Sequence, residues 1–554
     1  MKKFLFLFSA AAILTSCGQG ESESAKDNDV LRFNPSTYSE QELQMTDGTV
    51  VKYRAYEKLY YVRNVEDSTY QYLNIYVPED VTNSTQCPIF LRTYIGGYMS
   101  SQAKHPSATD ATGRALQEGY VVCIPGARGW DSANDLDDGK TIYNGRCPAA
   151  LCDLKAAVRY LRFNDDVMPG SAEKIVTDGT SAGGAMSALL GATGNSPSFA
   201  SYLSDMGAAD ERDDVFAAVC YCPITDLQHA DMAYEWTYGS ACNDMRNLTE
   251  EHLEMSRTLS SQYDAYINTL GLTNPFDGTP LTSDNYVDYM KMWLIKSLQR
   301  AVNEGCELPV EIGVVFNELS SSFSPTGAGN AHGIHITLNV DKDSNKSAPR
   351  DPERRRPQHK QDGQTPKPRK NDPHAPTMLA ELQLDSMNAN KHALPSFRPT
   401  QNGEFVIDLD LAAYMHYVAS STNLKSVPSF DALGICGHDA TPENKVFGDK
   451  DGNSSNFTDF AMSITDSKID DSDAARIALY NPMVFIGNSN AKNAKYWYIR
   501  HGGKDRDTSF PIAINLATKL MNEGADVNFA IPYNRPHSGD YNLDDLFCWL
   551  RTIK

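Results

Sequence analysis

The stretch that most constrains the fold of this chain is KIVTDGTSAGGAMSALLG, residues 174–191. An apolar segment typical of a buried strand runs directly into a serine between small residues, and a segment typical of a helix follows. Residues 179–183 match G-x-S-x-G, a sharp turn that lifts a serine hydroxyl above a sheet. Glycine suits this turn because it lets strand and helix approach closely. The context predicts that Ser181 is a nucleophile.

Strand-like and helix-like segments alternate on both sides of this turn. The stretches YQYLNIYVPED, CPIFLRTYIGG and GYVVCIPGARGW are typical of strands, and AALCDLKAAVRYLRFN has the apolar spacing of a helix. The continuous apolar run in VFAAVCYCPITD is expected of a strand covered on both faces. The alternation predicts a mostly parallel α/β sheet, built from residues 35–235 and 475–554.

The segment between these two parts, residues 236–474, has a different pattern. It contains helical and irregular stretches rich in aromatic and methionine residues, such as DNYVDYMKMWLIKSL. Because 554 residues exceed one simple core, we expect a domain-sized insertion that acts as a lid. Within it, residues 346–376 are proline-rich, basic and nearly free of large apolar side chains, which predicts a disordered loop. A tail that binds nucleic acid or another polyanion is the alternative for this run.

The N-terminus, MKKFLFLFSAAAILTSCGQG, is typical of an export signal, because two lysines precede an apolar run too short to span a membrane. LTSC resembles a bacterial lipobox, which predicts a signal peptide over residues 1–16 and lipidation of Cys17. The alternative is an ordinary signal with a chance cysteine. Residues 17–34 are expected to form a disordered tether. Gly18 and Gln19 offer no Asp-type retention signal, so we expect the cell envelope, at the outer membrane of a Gram-negative bacterium.

The charge and the cysteine content of the chain bear on whether it binds nucleic acid or metal and whether it forms disulfides. The formal net charge of −21 argues against binding to a nucleic-acid backbone. Export permits disulfides among the ten cysteines besides Cys17. Cys220 and Cys222 lie in an apolar run, where buried free thiols are the simpler interpretation. No Cys/His spacing resembles a zinc site, and we expect neither a metal nor a cofactor.

A nucleophilic serine needs a base and an orienting carboxylate. RHGGKDRDTS follows a strand and offers Asp505 and Asp507, and YNRPHSGDYN follows the last strand and offers His537. This chain order of Ser, Asp and His is that of the α/β-hydrolases, so we expect an α/β-hydrolase fold with a large lid-domain insertion. His501 is a rival base, and Asp226, after an earlier strand, is a rival acid.

The oxyanion of the reaction needs two N–H donors. The amide of Ala182 comes at the start of the helix that follows Ser181, where it can donate. Gly97 follows the apolar strand in RTYIGGYMS and is the expected second donor. The alternative for Gly96 and Gly97 is a plain turn.

Four stretches carry a resemblance to a known family: DGTSAGGAMSALLGATGNSP, PSFDALGICGHDATPENKVFGD, YWYIRHGGKDRDTSFPIAINLATKL and RPHSGDYNLDDLF. With them the chain resembles the bacterial tannases of subtype B and related tannase/feruloyl-esterase-like α/β-hydrolases. The resemblance extends from about residue 35 to the end, apart from the basic proline-rich loop. It implies Ser181 as the nucleophile, Asp505 as the orienting acid and His537 as the base.

The family also binds the three phenolic hydroxyls of a galloyl group with a lysine, a glutamate and an aspartate two residues beyond the triad acid. The resemblance assigns these roles here to Lys425, Glu443 and Asp507. Carboxylates accept hydrogen bonds from phenolic hydroxyls, and a lysine can donate to them. A structural ion pair between Lys425 and Glu443 is the alternative. The cysteine that precedes the serine in fungal-type tannases is absent, because Thr180 stands there.

The resulting hypothesis is a serine esterase that cleaves galloyl or related hydroxybenzoyl esters through an acyl-enzyme and needs no cofactor. Its partners would be small phenolic esters and, through Cys17, a membrane. A feruloyl or acetyl esterase acting on plant polysaccharide would use the same three residues without a cluster for three hydroxyls. A non-catalytic surface binding lipoprotein is a further alternative, against which the intact candidates Ser181, Asp505 and His537 argue.

Overall fold

The structure, a computed structural model, describes residues 29–81, 86–318, 404–420 and 423–553. Its strands are β1 (Ser39–Gln44), β2 (Val50–Tyr60), β3 (Tyr72–Pro78), β4 (Pro88–Arg92), β5 (Val121–Pro125), β6 (Ala133–Asp135), β7 (Thr141–Tyr143), β8 (Ser171–Thr180), β9 (Ala217–Tyr221), β10 (Val314–Glu318), β11 (Glu404–Leu409), β12 (Tyr496–Arg500) and β13 (Asp526–Ala530). Nine of them form one sheet in the order β1-β2-β3-β5-β4-β8-β9-β12-β13. Strands β4, β5, β8, β9, β12 and β13 are parallel, and β1 to β3 extend the sheet as an antiparallel edge.

Helices cover both faces of this sheet and form the insertion. They are α1 (Ala111–Gln117), α2 (Ala149–Phe163), α3 (Ala182–Ala192), α4 (Ala200–Asp205), α5 (Leu227–Cys242), α6 (Glu250–Thr269), α7 (Tyr286–Asn303), α8 (Leu411–Ala419), α9 (Pro442–Val446), α10 (Asp459–Thr465), α11 (Asp471–Ala478), α12 (Pro482–Phe485), α13 (Phe510–Asn522) and α14 (Leu543–Thr552). Every residue of β4, β5 and β9 is buried, as expected of strands covered on both faces. The order, with β8 running into α3, is that of the α/β-hydrolase fold, which confirms the predicted fold class.

Two apolar cores flank the sheet. One core joins α2, α3 and α13 to the sheet and continues into insertion residues such as Tyr263, Tyr286 and Leu294. The other core lies under α1 and α14, where Phe90, Tyr120 and Phe547 pack together. The insertion therefore shares its apolar core with the sheet, which fixes its position on the sheet.

The insertion lies between β9 and β12, but its expected boundaries need correction. The positions 235/236 and 474/475 fall inside α5 and α11, and neither helix is broken there. Helix α5 buries residues on both sides of the expected boundary, including Ala230, Tyr234 and Tyr238. Because that buried face is continuous, the helix belongs equally to the sheet-bearing part and to the insertion.

The prediction that the tether reaches residue 34 is wrong at its C-terminal end. Leu31 and Phe33 are 1% and 3% exposed and belong to the main core. The Asn164 side chain accepts from the Phe33 N–H and donates to the Leu31 carbonyl, both at 2.9 Å. The segment from Leu31 to Phe33 is ordered because its apolar side chains are buried and its backbone is hydrogen-bonded to the Asn164 side chain. Cys17 and the rest of residues 1–28, like the proline-rich loop 346–376, lie outside the described residues.

Two further features concern cysteines and membrane spans. The ten cysteines in the described part of the chain are free thiols, and Cys220 and Cys222 are both buried. Cys222 lies just beyond the end of β9 and has a φ of 44°. Across the same described ranges, none of the helices combines the length and apolarity needed to cross a membrane.

Candidate active site

Ser181 occupies the sharp turn between β8 and α3. Its φ of 62° and ψ of −126° are strained for a residue with a side chain. A Cβ on Gly179 would come 2.2 Å from the Gly183 carbonyl oxygen, so only glycine allows strand and helix to meet this closely. The Ser181 N–H donates to the Tyr221 carbonyl at 2.9 Å, and the Ser181 carbonyl accepts from the Ala185 N–H at 2.9 Å. The strained conformation is held from both strand and helix.

His537 bridges Ser181 and Asp505. Its Nε2 lies 2.8 Å from the Ser181 Oγ, and its Nδ1 lies 2.8 Å from the Asp505 Oδ2. Asp505 follows β12 and His537 follows β13, so parallel strands bring both to the carboxyl edge of the sheet where β8 delivers Ser181. With an ionised Asp505, the proton sits on Nδ1 and Nε2 accepts from the serine hydroxyl.

Electrostatics favour this proton arrangement. Burial of Asp505 acts to raise its pKa, but His537, His501 and the Asp507 N–H outweigh it and lower that pKa to about 2. Burial acts to lower the pKa of His537, but Asp505 and then Asp507 hold it above its ordinary value. Lys425 acts in the opposite direction on the pKa of His537. The carboxylate therefore stays ionised and stabilises a protonated imidazole.

The structure does not bring the rival residues to Ser181. His501 is fully buried, with its Nδ1 3.9 Å from the Asp505 Oδ2, and neither ring nitrogen has a hydrogen-bond partner among the described residues. Burial lowers the pKa of His501 to about 4 and keeps it neutral. Asp226 is occupied by other donors: His229 Nδ1 at 2.6 Å, Asn481 Nδ2 at 2.7 Å and the Tyr266 hydroxyl at 2.6 Å.

The two expected oxyanion donors are available. Neither the Ala182 nor the Gly97 N–H donates to any residue that the structure describes. Gly97 has a φ of 56°, and its carbonyl accepts from the Trp130 indole N–H at 2.9 Å. The loop after β4 lies against the start of α3, because a Cβ on Gly183 would come 2.9 Å from the Ile95 carbonyl oxygen. Free N–H groups on these two segments fit an oxyanion site.

Lys425 interacts electrostatically with both Glu443 and His537, and Asp507 interacts electrostatically with His537. Burial raises the pKa of Glu443, which is 5% exposed, and Lys425 opposes this rise. Lys425 does not form an ion pair with Glu443 or Asp507, and its Nζ lies 4.0 Å from the centre of the Phe430 ring. The alternative of a structural ion pair is therefore not what the structure contains. A buried carboxylate and an ammonium without a mutual ion pair are suited to a polar ligand.

The backbone of Lys425 is fixed by residues that the sequence did not single out. The Lys425 N–H donates to the Tyr234 hydroxyl at 3.1 Å, and that hydroxyl donates to the Arg506 carbonyl at 2.6 Å. The Lys425 carbonyl accepts from Arg246 at 2.8 Å, and Arg246 is itself paired with the buried Glu235. Tyr234 thus couples the Lys425 segment to the loop of Asp505 and Asp507. No sequence signal separates Tyr234 from the many core tyrosines.

Glu443 is held in place by a buried carboxylate nearby. Asp431 is 0% exposed and accepts from Asn444 at 2.6 Å, Asn456 at 2.8 Å, the Phe457 and Thr458 N–H groups at 2.7 and 2.8 Å, and the Thr458 hydroxyl at 2.9 Å. Asn444 is the neighbour of Glu443 on the short helix α9. These five bonds fold the loop that presents Glu443.

Comparison with known proteins places this chain among the esterases of the α/β-hydrolase fold. The family model described as BD-FAE matches residues 73–267, a range that includes Ser181. No curated protein matches the chain. Among solved structures, a tannase from Fusobacterium nucleatum is 32% identical, with a TM-score of 0.71 over 94% of this chain and 99% of that chain.

Two further structures agree. A native tannin acyl hydrolase from Lactobacillus plantarum is 31% identical, with a TM-score of 0.72 over 94% of this chain and 98% of that chain. A tannin acyl hydrolase in complex with ethyl gallate is 31% identical, with a TM-score of 0.71 and the same coverage. At this identity over nearly the whole length, the chain belongs to the tannase/feruloyl-esterase-like family.

Proposed function

We propose that this protein is a serine esterase that hydrolyses esters of gallic acid and related hydroxybenzoic acids. The observation that carries the proposal is the relay of two 2.8 Å contacts from Ser181 through His537 to Asp505. Lys425 interacts electrostatically with both His537 and the buried Glu443. The similarity to a tannin acyl hydrolase bound to ethyl gallate supports the galloyl group as the acyl part.

In the proposed reaction, the Ser181 Oγ attacks the ester carbonyl carbon while the His537 Nε2 takes the hydroxyl proton. The N–H groups of Gly97 and Ala182 stabilise the oxyanion. Collapse breaks the bond to the alcohol, which leaves with the proton from His537. Water, deprotonated by His537, then attacks the acyl carbon of the acyl-enzyme. The bond from that carbon to the Ser181 Oγ breaks, His537 returns its proton to the Oγ, and the free acid is released.

The polar cluster accounts for selection of the acyl group. Phenolic hydroxyls would donate to Glu443 and Asp507 and accept from Lys425. A ring that lacks the hydroxyls leaves a buried carboxylate unpaired, so it is rejected more strongly than an apolar pocket could reject it. The insertion carries Lys425 and Glu443, and it would act as a lid that closes the acyl pocket.

The first test compares ring hydroxylation. Wild-type protein and Asp507→Ala are assayed with methyl gallate and methyl benzoate. We expect kcat/KM for methyl gallate to fall about 10- to 100-fold, the value of a hydrogen bond to a charged group, and that for methyl benzoate to change by less than about 3-fold. Equal losses on both esters would refute recognition of the hydroxyls by Asp507.

The pH profile provides a second test. His537 must be unprotonated to act as the base, so kcat/KM should fall as the pH decreases through its raised pKa. Asp507 helps to raise that pKa, so Asp507→Asn should move the acid limb to lower pH. The assay uses para-nitrophenyl acetate, whose acyl part has no ring hydroxyl for Asp507 to bind. An unmoved or oppositely moved limb would contradict the assignment of His537 as the titrating base.

A feruloyl ester is the second candidate substrate, and the match of residues 73–267 to BD-FAE favours it. Ferulate carries fewer free ring hydroxyls and a longer acyl chain than gallate. The discriminating measurement is the ratio of kcat/KM for methyl gallate to that for methyl ferulate. A ratio well above one supports galloyl esters as the substrates. A ratio below one would show that hydroxycinnamoyl esters are preferred and would refute the galloyl proposal.

We further propose that Cys17 is lipidated after removal of residues 1–16 and anchors the protein at the outer membrane. The support is the LTSC sequence after a short apolar run. The full chain, expressed in a Gram-negative host, should be recovered in the outer-membrane fraction, and Cys17→Ala should appear in the soluble fraction. Identical fractionation of both proteins would overturn the anchor.

A further inference from the structure

A buried arginine joins the segments on both sides of the candidate site. Arg92, at the end of β4, is 4% exposed and pairs with Asp178 on β8 and with Asp540. The distance from Arg92 Nη2 to Asp540 Oδ2 is 2.7 Å. Asp178 is 0% exposed, while the side chain of Asp540 is 20% exposed. One guanidinium therefore links two carboxylates that are 362 residues apart in the sequence, by subtraction of their numbers.

The two carboxylates paired with Arg92 lie close in sequence to the candidate nucleophile and base. Asp178 lies three residues before Ser181, and Asp540 lies three residues after His537. The segments also touch directly, because a Cβ on Gly539 would come 1.9 Å from the Thr180 Oγ1. The Arg92 contacts thus lie beside the point where the serine turn and the histidine loop meet.

The histidine loop has little regular structure of its own. It runs from the end of β13 to the start of α14, and Asn534, Asp540 and Asn542 have φ values of 55° to 57°. Before His537 the loop is tied to the Asp505 loop by the bond from the Lys504 N–H to the Arg535 carbonyl, 2.9 Å long. After His537, Arg92 at the end of β4 links Asp540 to Asp178 on β8, the strand that precedes Ser181. His537 lies between these two ties.

We propose that Arg92 and Asp540 are positioning residues that hold His537 in register with Ser181, with Asp178 as the anchor on the serine strand. This inference rests on the proposed function. Stability alone is a weak reason for this cluster, because a buried ion network is often no more stabilising than apolar residues of similar volume. Two carboxylates share one cation here, and the Asp178 Oδ1 has no hydrogen-bond partner among the described residues.

The pKa of Asp178 is consistent with a cluster of Arg92, Asp178 and Asp540 whose role is to position His537. Burial raises the pKa of Asp178 to about 7, with Arg92 opposing the rise and Asp540 adding to it. The charge of Asp178 therefore depends on the arginine. A misplacement of about 1 Å at a reacting group can reduce the rate about 100-fold, so a tie three residues from His537 is enough to matter.

The test compares Asp540→Ala with Asp544→Ala. Asp544 is a matched control, because its side chain lies in the same region but is 84% exposed and, among the residues that the structure describes, pairs only with Arg114. We expect Asp540→Ala to lower kcat about 10-fold or more on methyl gallate and methyl benzoate alike, with little change in KM, because His537 acts on every ester. Asp544→Ala should stay within about 2-fold of wild type.

A double-mutant cycle separates positioning from general destabilisation. In a His537→Ala background, the residual turnover of para-nitrophenyl acetate should not change further with Asp540→Ala, because the residue acts through His537. An equal loss in both backgrounds would overturn the proposal, as would an Asp540→Ala kcat within about 2-fold of wild type. If Asp540→Ala does not fold, Asp540→Gly, which also removes the carboxylate and adopts the φ of 57° at this position without strain, decides by the same criteria.

Failure of this inference can be distinguished from failure of the proposed function. If Ser181→Ala or His537→Ala retains wild-type activity, the serine mechanism is wrong and the role of Arg92 falls with it. If both variants are inactive while Asp540→Ala is unaffected, only the positioning role is lost.

Discussion

Replacement of Ser181 by alanine is expected to lower kcat for methyl gallate by about 10⁴-fold or more, the loss typical of a missing nucleophile. Without the Oγ, no acyl-enzyme forms, and the 2.8 Å contact through which the hydroxyl proton passes to His537 is lost. The structure around the turn should persist, because Ser181 is fixed there through its backbone N–H and carbonyl. The measurement is release of gallic acid, together with labelling by a fluorophosphonate probe.

The control for this variant is Ser538→Ala. Ser538 follows His537 directly, and within the described ranges its hydroxyl makes only a local bond to the Pro536 carbonyl at 3.4 Å. It should retain activity within about 3-fold and should still react with the probe. If Ser181→Ala keeps most of its activity, or if wild-type protein does not react with the probe, the serine mechanism is wrong.

Replacement of Asp431 by alanine is expected to destabilise the protein by about 3–5 kcal/mol, because five buried donors lose their acceptor together. Part of the loss is offset at the neighbouring Asp231. Burial and then Asp431 raise the pKa of Asp231 to about 7, so removal of one carboxylate relieves repulsion on the other. The measurement is the free energy of unfolding in urea at pH 7.

The same variant should also lose discrimination between methyl gallate and methyl benzoate, since the Asp431 bonds shape the loop that carries Glu443. The control is Asp439→Ala, an exposed aspartate of the same loop, whose effect on stability should stay within about 0.5 kcal/mol. A loss below about 1 kcal/mol for Asp431→Ala would show that its donors find water or other acceptors.

Local patterns were enough to predict some parts of this protein. The turn at Ser181 was predictable because strand, glycine turn and helix are contiguous, and each has its own sequence signal. The strands that carry Asp505 and His537 were predictable for the same reason. Choosing His537 over His501 from the sequence depended on chain order, and the structure adds that His501 is buried and 3.9 Å from Asp505.

Other parts depended on packing that no local signal records. The boundary expected at 235/236 falls within α5 because one buried face runs across it. The sequence predicts a tether over Leu31 and Phe33 because the polar residues before them dominate the local composition, yet both are buried and bonded to Asn164. Only the family resemblance points to Lys425 in the sequence, and the hydrogen bond from its N–H to the Tyr234 hydroxyl spans 191 residues.

The sequence by itself determined the fold class and the local elements of the candidate site: a serine in a G-x-S-x-G turn, followed by an acid and a histidine after later strands, on an α/β sheet. Only the tertiary structure decided which groups meet. It placed Arg92 between Asp178 and Asp540, a link that spans 448 residues on one side. The physical reason is that periodicity and turn chemistry act over a few residues. Buried charges, in contrast, are paired by whichever segments the folded sheet brings together.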